Sequence, residues 1–412
     1  MSEAAEQINA AATRDGAGTR EQAPPRRLAL EDLHLRAGAR MSERDGWLVP
    51  ASYGDAAAEY EAVRGAGGAG LIDLSPRGRV GASGREAVQF LNGLVTNDVK
   101  ALAPGAWVLA ALPNPQGRLL AFARVLRPGE EESFILDTEP ATRETVFRSL
   151  ERFTLAGDFR VRDLSDETAQ LSLQGARASG IVRALLGQVI ANLERGRAAL
   201  ARWRESEGVT VARATHTGED GFDLFAGAAA ARELWEAIAH AGALPVGYDA
   251  LEVLRVEAGV PRYGVDVTDA NVVSEAGLDE AVSYTKGCYV GQEIIARIHW
   301  RGHVAKRLAG LVLEGDGRGA FADEDGEAVT RNGVGVGAKI TNADASREIG
   351  RVTSSAFSPR LGRRIALAVV KYDFLAPGTE VLIEGEGGAR RARVASLPLV
   401  RGGWHAGGEA SS

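Results

Sequence analysis

Lys286-Gly287-Cys288-Tyr289-Val290-Gly291-Gln292-Glu293 is the stretch around which the chain is organised. It holds the only cysteine among 412 residues and runs directly into a helix-like segment, Ile294 to Trp300. Two glycines bracketing a thiol let the backbone turn sharply, and Gln292 and Glu293 read as the first turn of the helix. Cys288 then stands just before a helix N-terminus. Amide dipoles there, with the Lys286 ammonium two residues away, favour the thiolate over the thiol. A small buried hydrophobe is the alternative reading of a lone cysteine, and the polar, glycine-rich flanks argue against burial.

Length allows roughly two to three domains of about 150 residues each. One cysteine forms no intrachain disulfide and cannot alone hold a four-thiolate cluster, so the chain reads as intracellular, with the cytoplasm as its expected location. No apolar run approaches the roughly 20 residues of a membrane span, and the N-terminus lacks the apolar core of a signal peptide. A net charge of −7 gives the molecule as a whole no reason to adhere to DNA, RNA or an anionic membrane. The best local patch for RNA is Arg297, His299, Trp300, Arg301, His303, Lys306 and Arg307; a solvated helix face followed by an entering strand is the plainer account. Cys288, His299 and His303 form a weaker metal-ligand candidate. Gly302 interrupts that helix and no fourth ligand is evident, so no metal site is expected.

Residues 1–27 lack apolar periodicity and are expected to be disordered. From Leu28 the pattern changes. Leu71-Ile72-Asp73-Leu74-Ser75 and Arg79-Val80-Gly81-Ala82 look like strands, and Ser83-Gly84-Arg85-Glu86 has the spacing of a capping box with Ser83 as N-cap. Val88, Leu91 and Leu94 then share one helical face. Trp107 to Leu112 and Arg118 to Leu126 are apolar runs joined by Pro113-Asn114-Pro115-Gln116-Gly117, a hairpin. A second strand–glycine–helix unit, Ala169 to Gln174, Gly175 and Ile181 to Leu186, echoes the first and hints at a duplicated α+β half. A further hairpin spans Val209 to Phe225, and Glu219 projects from its polar tip. Ala231 to Ala241 and Ala250 to Ala258 are helical by pattern, the second ended by Gly259 and Pro261. Beyond Val304, short β-rich runs between glycines predict a small antiparallel barrel or sandwich. The expected division is a first α+β part over 28–165, a second over 166–303, a β-barrel over 304–400 and a flexible tail over 401–412.

Together these residues resemble the folate-binding superfamily that joins the glycine-cleavage T-protein with the YgfZ-type proteins, over roughly Leu28 to Pro398. Gly38-Ala39-Arg40-Met41, Gly46-Trp47, Tyr53-Gly54, Thr217-Gly218-Glu219, Leu254-Arg255-Val256-Glu257-Ala258-Gly259 and Ser358-Pro359 carry the likeness to the T-protein. The octapeptide points to the YgfZ branch, since T-proteins have a similar loop without the cysteine. T-proteins also carry two adjacent aspartates after their Asn-x-x-Gly turn, one needed for aminomethyl transfer, whereas Asn114-Pro115-Gln116-Gly117 leads here to Ala121-Phe122. The resemblance implies an α+β fold, a three-domain ring of two α+β folate-binding domains and a C-terminal antiparallel β-barrel, with tetrahydrofolate or a one-carbon derivative in the central opening. It also implies that Glu219 meets the pteridine ring and that Arg255 lies near the cofactor. The residues themselves allow Arg255 a salt bridge to Glu252 or Glu257 instead.

Two functions compete. The first is a YgfZ-like folate-binding accessory factor, not itself an enzyme, with Cys288 as functional thiol beside Lys286. Its partners would be iron–sulfur proteins or assembly factors, with an indirect link to tRNA-modifying enzymes. The second is a T-protein-like, tetrahydrofolate-dependent aminomethyltransferase acting on a lipoyl carrier.

Overall fold

The strand read at Arg79 to Ala82 is β5 (Gly78–Ser83) of a computed structural model that describes residues 24–129, 131–204, 207–315, 334–385 and 388–405. It lies inside a five-stranded sheet with β6 (Ala106–Pro113), β7 (Leu119–Arg127), β8 (Ser133–Thr138) and β9 (Arg160–Asp163), in the order β6-β7-β8-β5-β9. The hairpin at Pro113 to Gly117 joins β6 to β7. Helices Ala87–Leu94 and Arg143–Glu151 bury Leu91, Val146 and Leu150 against Val80 and Leu136.

The echoing unit has the same construction. β10 (Thr168–Gln174) belongs to a six-stranded sheet, β11-β12-β13-β10-β4-β14, with β4 (Gly70–Asp73), β11 (Ala198–Trp203), β12 (Glu207–Arg213), β13 (Gly221–Gly227) and β14 (Leu244–Pro245). β5 and β10 each end at a glycine in a left-handed conformation, Gly84 at φ +114° and Gly175 at φ +117°. A helix starts three residues later, at Ala87 and Ala178. A Cβ on Gly84 would stand 2.1 Å from Asp158 O, and one on Gly175 2.9 Å from Gly68 O, so only glycine fits either turn. The capping box is not formed. Ser83 is the last residue of β5 and Glu86 occupies the N-cap position. The Glu86 carboxylate accepts the Asp158 N–H at 2.7 Å, because the Gly84 turn brings that amide alongside.

The sheets do not follow the sequence division at 165/166. β4 comes from the first segment yet pairs with β10 and β14 of the second, since Leu71 and Ile72 are wholly buried and require a strand on each side. Conversely, the chain beyond helix Tyr248–Ala258 returns to the first sheet. Val273 N–H reaches Gly117 O, Ser283 N–H reaches Thr96 O, and Val290 N–H reaches Gly93 O. Val267, Val273, Tyr289 and Ile295 pack there on Ala111, Leu119 and Phe122.

β15 (Lys306–Leu313), β16 (Lys339–Asn342), β17 (Glu348–Ser358), β18 (Arg363–Lys371), β19 (Glu380–Ile383) and β20 (Arg390–Ala395) form a closed antiparallel barrel. Its outer face packs Leu308, Ile365 and Leu367 on Val253, Leu254 and Val256 of helix Tyr248–Ala258. A small sheet of β1 (Arg26–Arg27), β2 (Arg40–Arg44) and β3 (Trp47–Ser52) precedes the rest. Of the segment expected to be disordered, residues 1–23 lie outside the described residues, while Arg26–Arg27 pairs with β3. Of the expected flexible tail, residues 406–412 lie outside the described residues, and 401–405 pack on the body. Among the described residues no helix is long and apolar enough to cross a membrane.

Candidate functional site

A cavity of about 260 Å³ opens where both sheets, the end of helix Tyr248–Ala258, the loop at Gly277 to Glu280 and the C-terminal tail meet. Trp107 and Leu109 of β6, Phe122 of β7, Leu278 and Trp404 give it aromatic and aliphatic walls. A smaller recess of about 80 Å³ adjoins it and shares Arg77, Glu139, His216, Val260 and Pro261 with it.

The cavity wall is backed by a buried charge cluster contributed by both sheets. Arg124 of β7 binds Asp137 of β8 at 2.6 Å and also pairs with Asp223 of β13. Arg77 binds Asp137 at 2.6 Å and pairs with Glu139, and His216 Nε2 lies 2.8 Å from Asp223. Burial pushes the Asp223 carboxyl up, but Arg124 and His216 outweigh it and hold it far below the usual carboxylate range. Arg77 and Arg124 do the same for Asp137 against its own burial. One donor of this cluster has no hydrogen-bond partner among the described residues: the buried Arg124 Nη1, on a guanidinium that lies over the Trp107 ring.

Glu219 follows the left-handed Gly218 (φ +77°), a lining residue of the cavity, in the β12–β13 turn. Its Oε1 accepts from Arg64 at 2.8 Å and its Oε2 from the Gly403 N–H of the tail at 2.6 Å. Arg64 continues to the buried Glu257, which also accepts from Tyr60 and from Ser358 of the barrel. Trp404 N–H donates to Gly218 O, and Arg195 fixes the tail by donating to Gly403 O and lying over the Trp404 ring. The apolar walls and the neighbouring Glu219 carboxylate together fit a flat heterocycle with apolar faces and N–H donors at one edge.

Other residues singled out in the sequence are placed elsewhere. Arg255 lines the smaller recess, but all five of its N–H donors are used: on Glu252, twice, on Asp266 at 2.7 Å, on Ser354 and on Val260 O. The salt bridge to Glu252 is therefore its role, and no donor remains for a cofactor. Lys286 is likewise saturated. Its buried ammonium donates to Asn92 O, Val95 O and Asn97 O at 2.6, 2.9 and 2.6 Å, not toward Cys288. Burial pulls it down from its usual value to about 8, against the opposing Asp98 carboxylate. Cys288 is exposed and lines neither cavity. His299 stacks on Tyr284 at 3.7 Å and His303 on Tyr372 at 3.9 Å. Among the described residues no three His, Cys, Asp or Glu side chains are grouped to hold a metal.

Sequence reading missed Arg124, Asp137 and Asp223, although each had a signal. All three are lone charges in otherwise apolar strand runs, Phe122-Ala123-Arg124-Val125, Ile135-Leu136-Asp137 and Phe222-Asp223-Leu224. A charge in a central strand buried on both faces has to be paired.

Comparison with known proteins agrees with this geometry. The GCVT N-terminal domain matches residues 30–286, and the glycine cleavage T-protein C-terminal barrel domain matches residues 306–401. A Geobacillus kaustophilus protein named aminomethyltransferase is 34% identical over 91% of this chain and 99% of its own length. A namesake from Rubrobacter xylanophilus is 35% identical over 91% and 94%. The solved glycine cleavage system aminomethyltransferase T from Bartonella henselae superposes with a TM-score of 0.80 at 26% identity, covering 91% of this chain and 98% of that one. The expected α+β fold with a terminal barrel is therefore correct. The expected accessory factor of the YgfZ branch is not: relatives aligned over nearly the whole chain carry the aminomethyltransferase name. The iron–sulfur and tRNA-modification partners attached to it are not carried forward. The octapeptide misled because its residues serve packing. Lys286 clamps a loop, Tyr289 is buried, and a Cβ on Gly291 would stand 2.4 Å from Asn114 O.

Proposed function

The chain belongs to the glycine-cleavage T-protein family, and from that premise we propose that it is a tetrahydrofolate-dependent transferase that moves an aminomethyl-type one-carbon unit onto folate held in the central cavity. The observation that carries the reading is the cavity itself, walled by Trp107, Leu109, Phe122, Leu278 and Trp404, with the Glu219 carboxylate next to its lining residue Gly218. When bound, tetrahydrofolate supplies two neighbouring amine nitrogens able to share one carbon. The chain's own residues supply the seat. Trp107, Phe122 and Trp404 cover apolar ring faces, and Glu219 takes N–H donors of the pteridine edge by charge-assisted hydrogen bonds. Oε1 remains oriented by Arg64 while Oε2 exchanges the Gly403 N–H for the ligand. Arg255 acts at one remove, holding Glu252, Val260 and Asp266 in the neighbouring wall. Cys288, outside the cavity, is assigned no step.

The test is ammonia release from a lipoyl carrier loaded with the aminomethyl group. Release that requires carrier, tetrahydrofolate and protein together is the expected result. Tight tetrahydrofolate binding with no release above the protein-free rate overturns the transferase reading.

A further inference from the structure

The turn after Asn114 supplies no carboxylate: Ala121 is wholly buried in the core of the first sheet and Phe122 nearly so in the neighbouring apolar cluster. Aminomethyl transfer nonetheless needs a group that accepts and returns a proton, because both folate amines give up an N–H. Among the described residues two carboxylates line the cavity. Glu139 is committed to Arg77. Glu280 is exposed and has no hydrogen-bond or ion-pair partner for its side chain among the described residues.

Resting on the transferase reading above, we propose that Glu280 is the proton-accepting catalytic residue of this cavity, positioned by the loop Val95 to Asn97 and by Lys286. The backbone around Glu280 is pinned on both sides. Asn97 Nδ2 donates to Glu280 O at 2.8 Å and to Leu109 O of the cavity wall at 2.8 Å, and Thr96 Oγ1 donates to Ala281 O. That loop is in turn fixed by Lys286 Nζ on Val95 O and Asn97 O. The lysine of the octapeptide is thus a positioning residue acting through Asn97.

Although Glu280 is exposed, desolvation by the atoms around it, and then the adjacent Asp279 carboxylate, raise its carboxyl above the ordinary glutamate value, toward a working base. Asp279 is itself paired with Arg307. The other charged or titratable groups lining the cavity are Arg77, Arg124, Glu139, His216 and His405, and the first four belong to the cluster behind the wall. In the transfer, the carrier's C–S and C–N bonds break as its methylene carbon bonds to both folate nitrogens. Glu280 receives a proton from the folate amine and passes it to the departing group. Over the cycle the two amine protons end one on the carrier thiol and one on the released ammonia. The carboxylate is regenerated, and no oxidant or reductant is required.

The experiment compares wild type, Glu280→Gln, Glu280→Asp and Asn97→Ala. Glu280→Gln should lower turnover at least about 100-fold while tetrahydrofolate affinity stays within about threefold, and the acidic limb of the rate–pH profile should vanish. Glu280→Asp should restore part of the rate, and Asn97→Ala should shift the acidic limb. Independently of turnover, calorimetry of tetrahydrofolate binding in buffers of different ionisation enthalpy, run over a range of pH, should show proton uptake, since the seated ring removes more water from Glu280. That uptake should be absent in Glu280→Gln. Wild-type turnover in Glu280→Gln, or an unchanged proton count, overturns the proposal. If wild type releases no ammonia, the transferase reading has failed, and the proton count alone decides on Glu280: loss in the glutamine variant supports it and persistence refutes it.

Discussion

Arg64→Met removes the cation on which the charge balance at the cavity rim depends. The Arg64 side chain is 3% exposed, 2.8 Å from Glu219 and 2.7 Å from Glu257, and the Glu257 side chain is 0% exposed. Without Arg64, the buried Glu257 charge keeps only the hydroxyls of Tyr60 and Ser358. Breaking a buried pair from one side costs about 3–5 kcal/mol, because the remaining charge stays desolvated. With an unfolding entropy of roughly 2.1 cal/mol/K per residue, that corresponds to a loss of roughly 3–6 °C in Tm for a chain of this length. Adding Glu257→Gln should recover at least half of the loss, since the amide oxygen still accepts from both hydroxyls while the stranded charge disappears. Calorimetric unfolding at pH 7.5 is the assay. A single variant within about 1 °C of wild type, or a double variant less stable than the single one, refutes the argument that Arg64 is held there to neutralise Glu257.

Glu219→Ala should weaken tetrahydrofolate binding by about 1.5–3 kcal/mol, the worth of a charged hydrogen bond, and calorimetric titration with unchanged affinity would remove it from the site. Gly291→Ala should cost about 2–4 kcal/mol in denaturant unfolding, because φ is +74° and the new Cβ meets the backbone of Asn114 and Gly117; Gly287→Ala, with open space around it, should be nearly neutral. Glu280→Gln should raise Tm at pH 7.5 relative to wild type. A carboxyl with a raised pKa stabilises the fold when protonated and loses that contribution as pH rises through its folded value. The neutral amide escapes that loss, so its advantage should vanish in acid, and a difference in Tm independent of pH would count against it.

Elements whose side chains alternate in one register could be read from the chain. β5 and β10 are legible because apolar runs stop at Gly84 and Gly175 before a helical period begins, and the β6–β7 hairpin because Asn114 to Gly117 are turn formers between two apolar runs. β20 is not legible, since Arg390-Arg391-Ala392-Arg393-Val394-Ala395 presents Arg391 and Arg393 outward and buries only Ala392 and Val394, a weak apolar signal. It nonetheless closes the barrel by pairing with both β15 and β19. The exchange of β4 into the second sheet was equally hidden, because strand partners more than a hundred residues apart leave no local mark.

The site is harder to read than the fold for a reason rooted in the duplication. Two similar halves meet at a seam, and each sheet places one aspartate there, Asp137 and Asp223, with Arg124 between them. That repeated part makes a wall. The groups that distinguish one side of the cavity from the other come from segments without a counterpart: Glu280 from the returning loop, Glu219 from a turn tip, and Trp404 from beyond the barrel. Repeat patterns can therefore locate the seam but not its chemistry. The octapeptide shows the converse, since Lys286 and Gly291 mark the loop through packing demands while the reactive-looking Cys288 is exposed and outside the cavity's lining. A motif's most reactive side chain is thus a poor guide to the reacting centre when its neighbours are already explained by the space and the carbonyls around them.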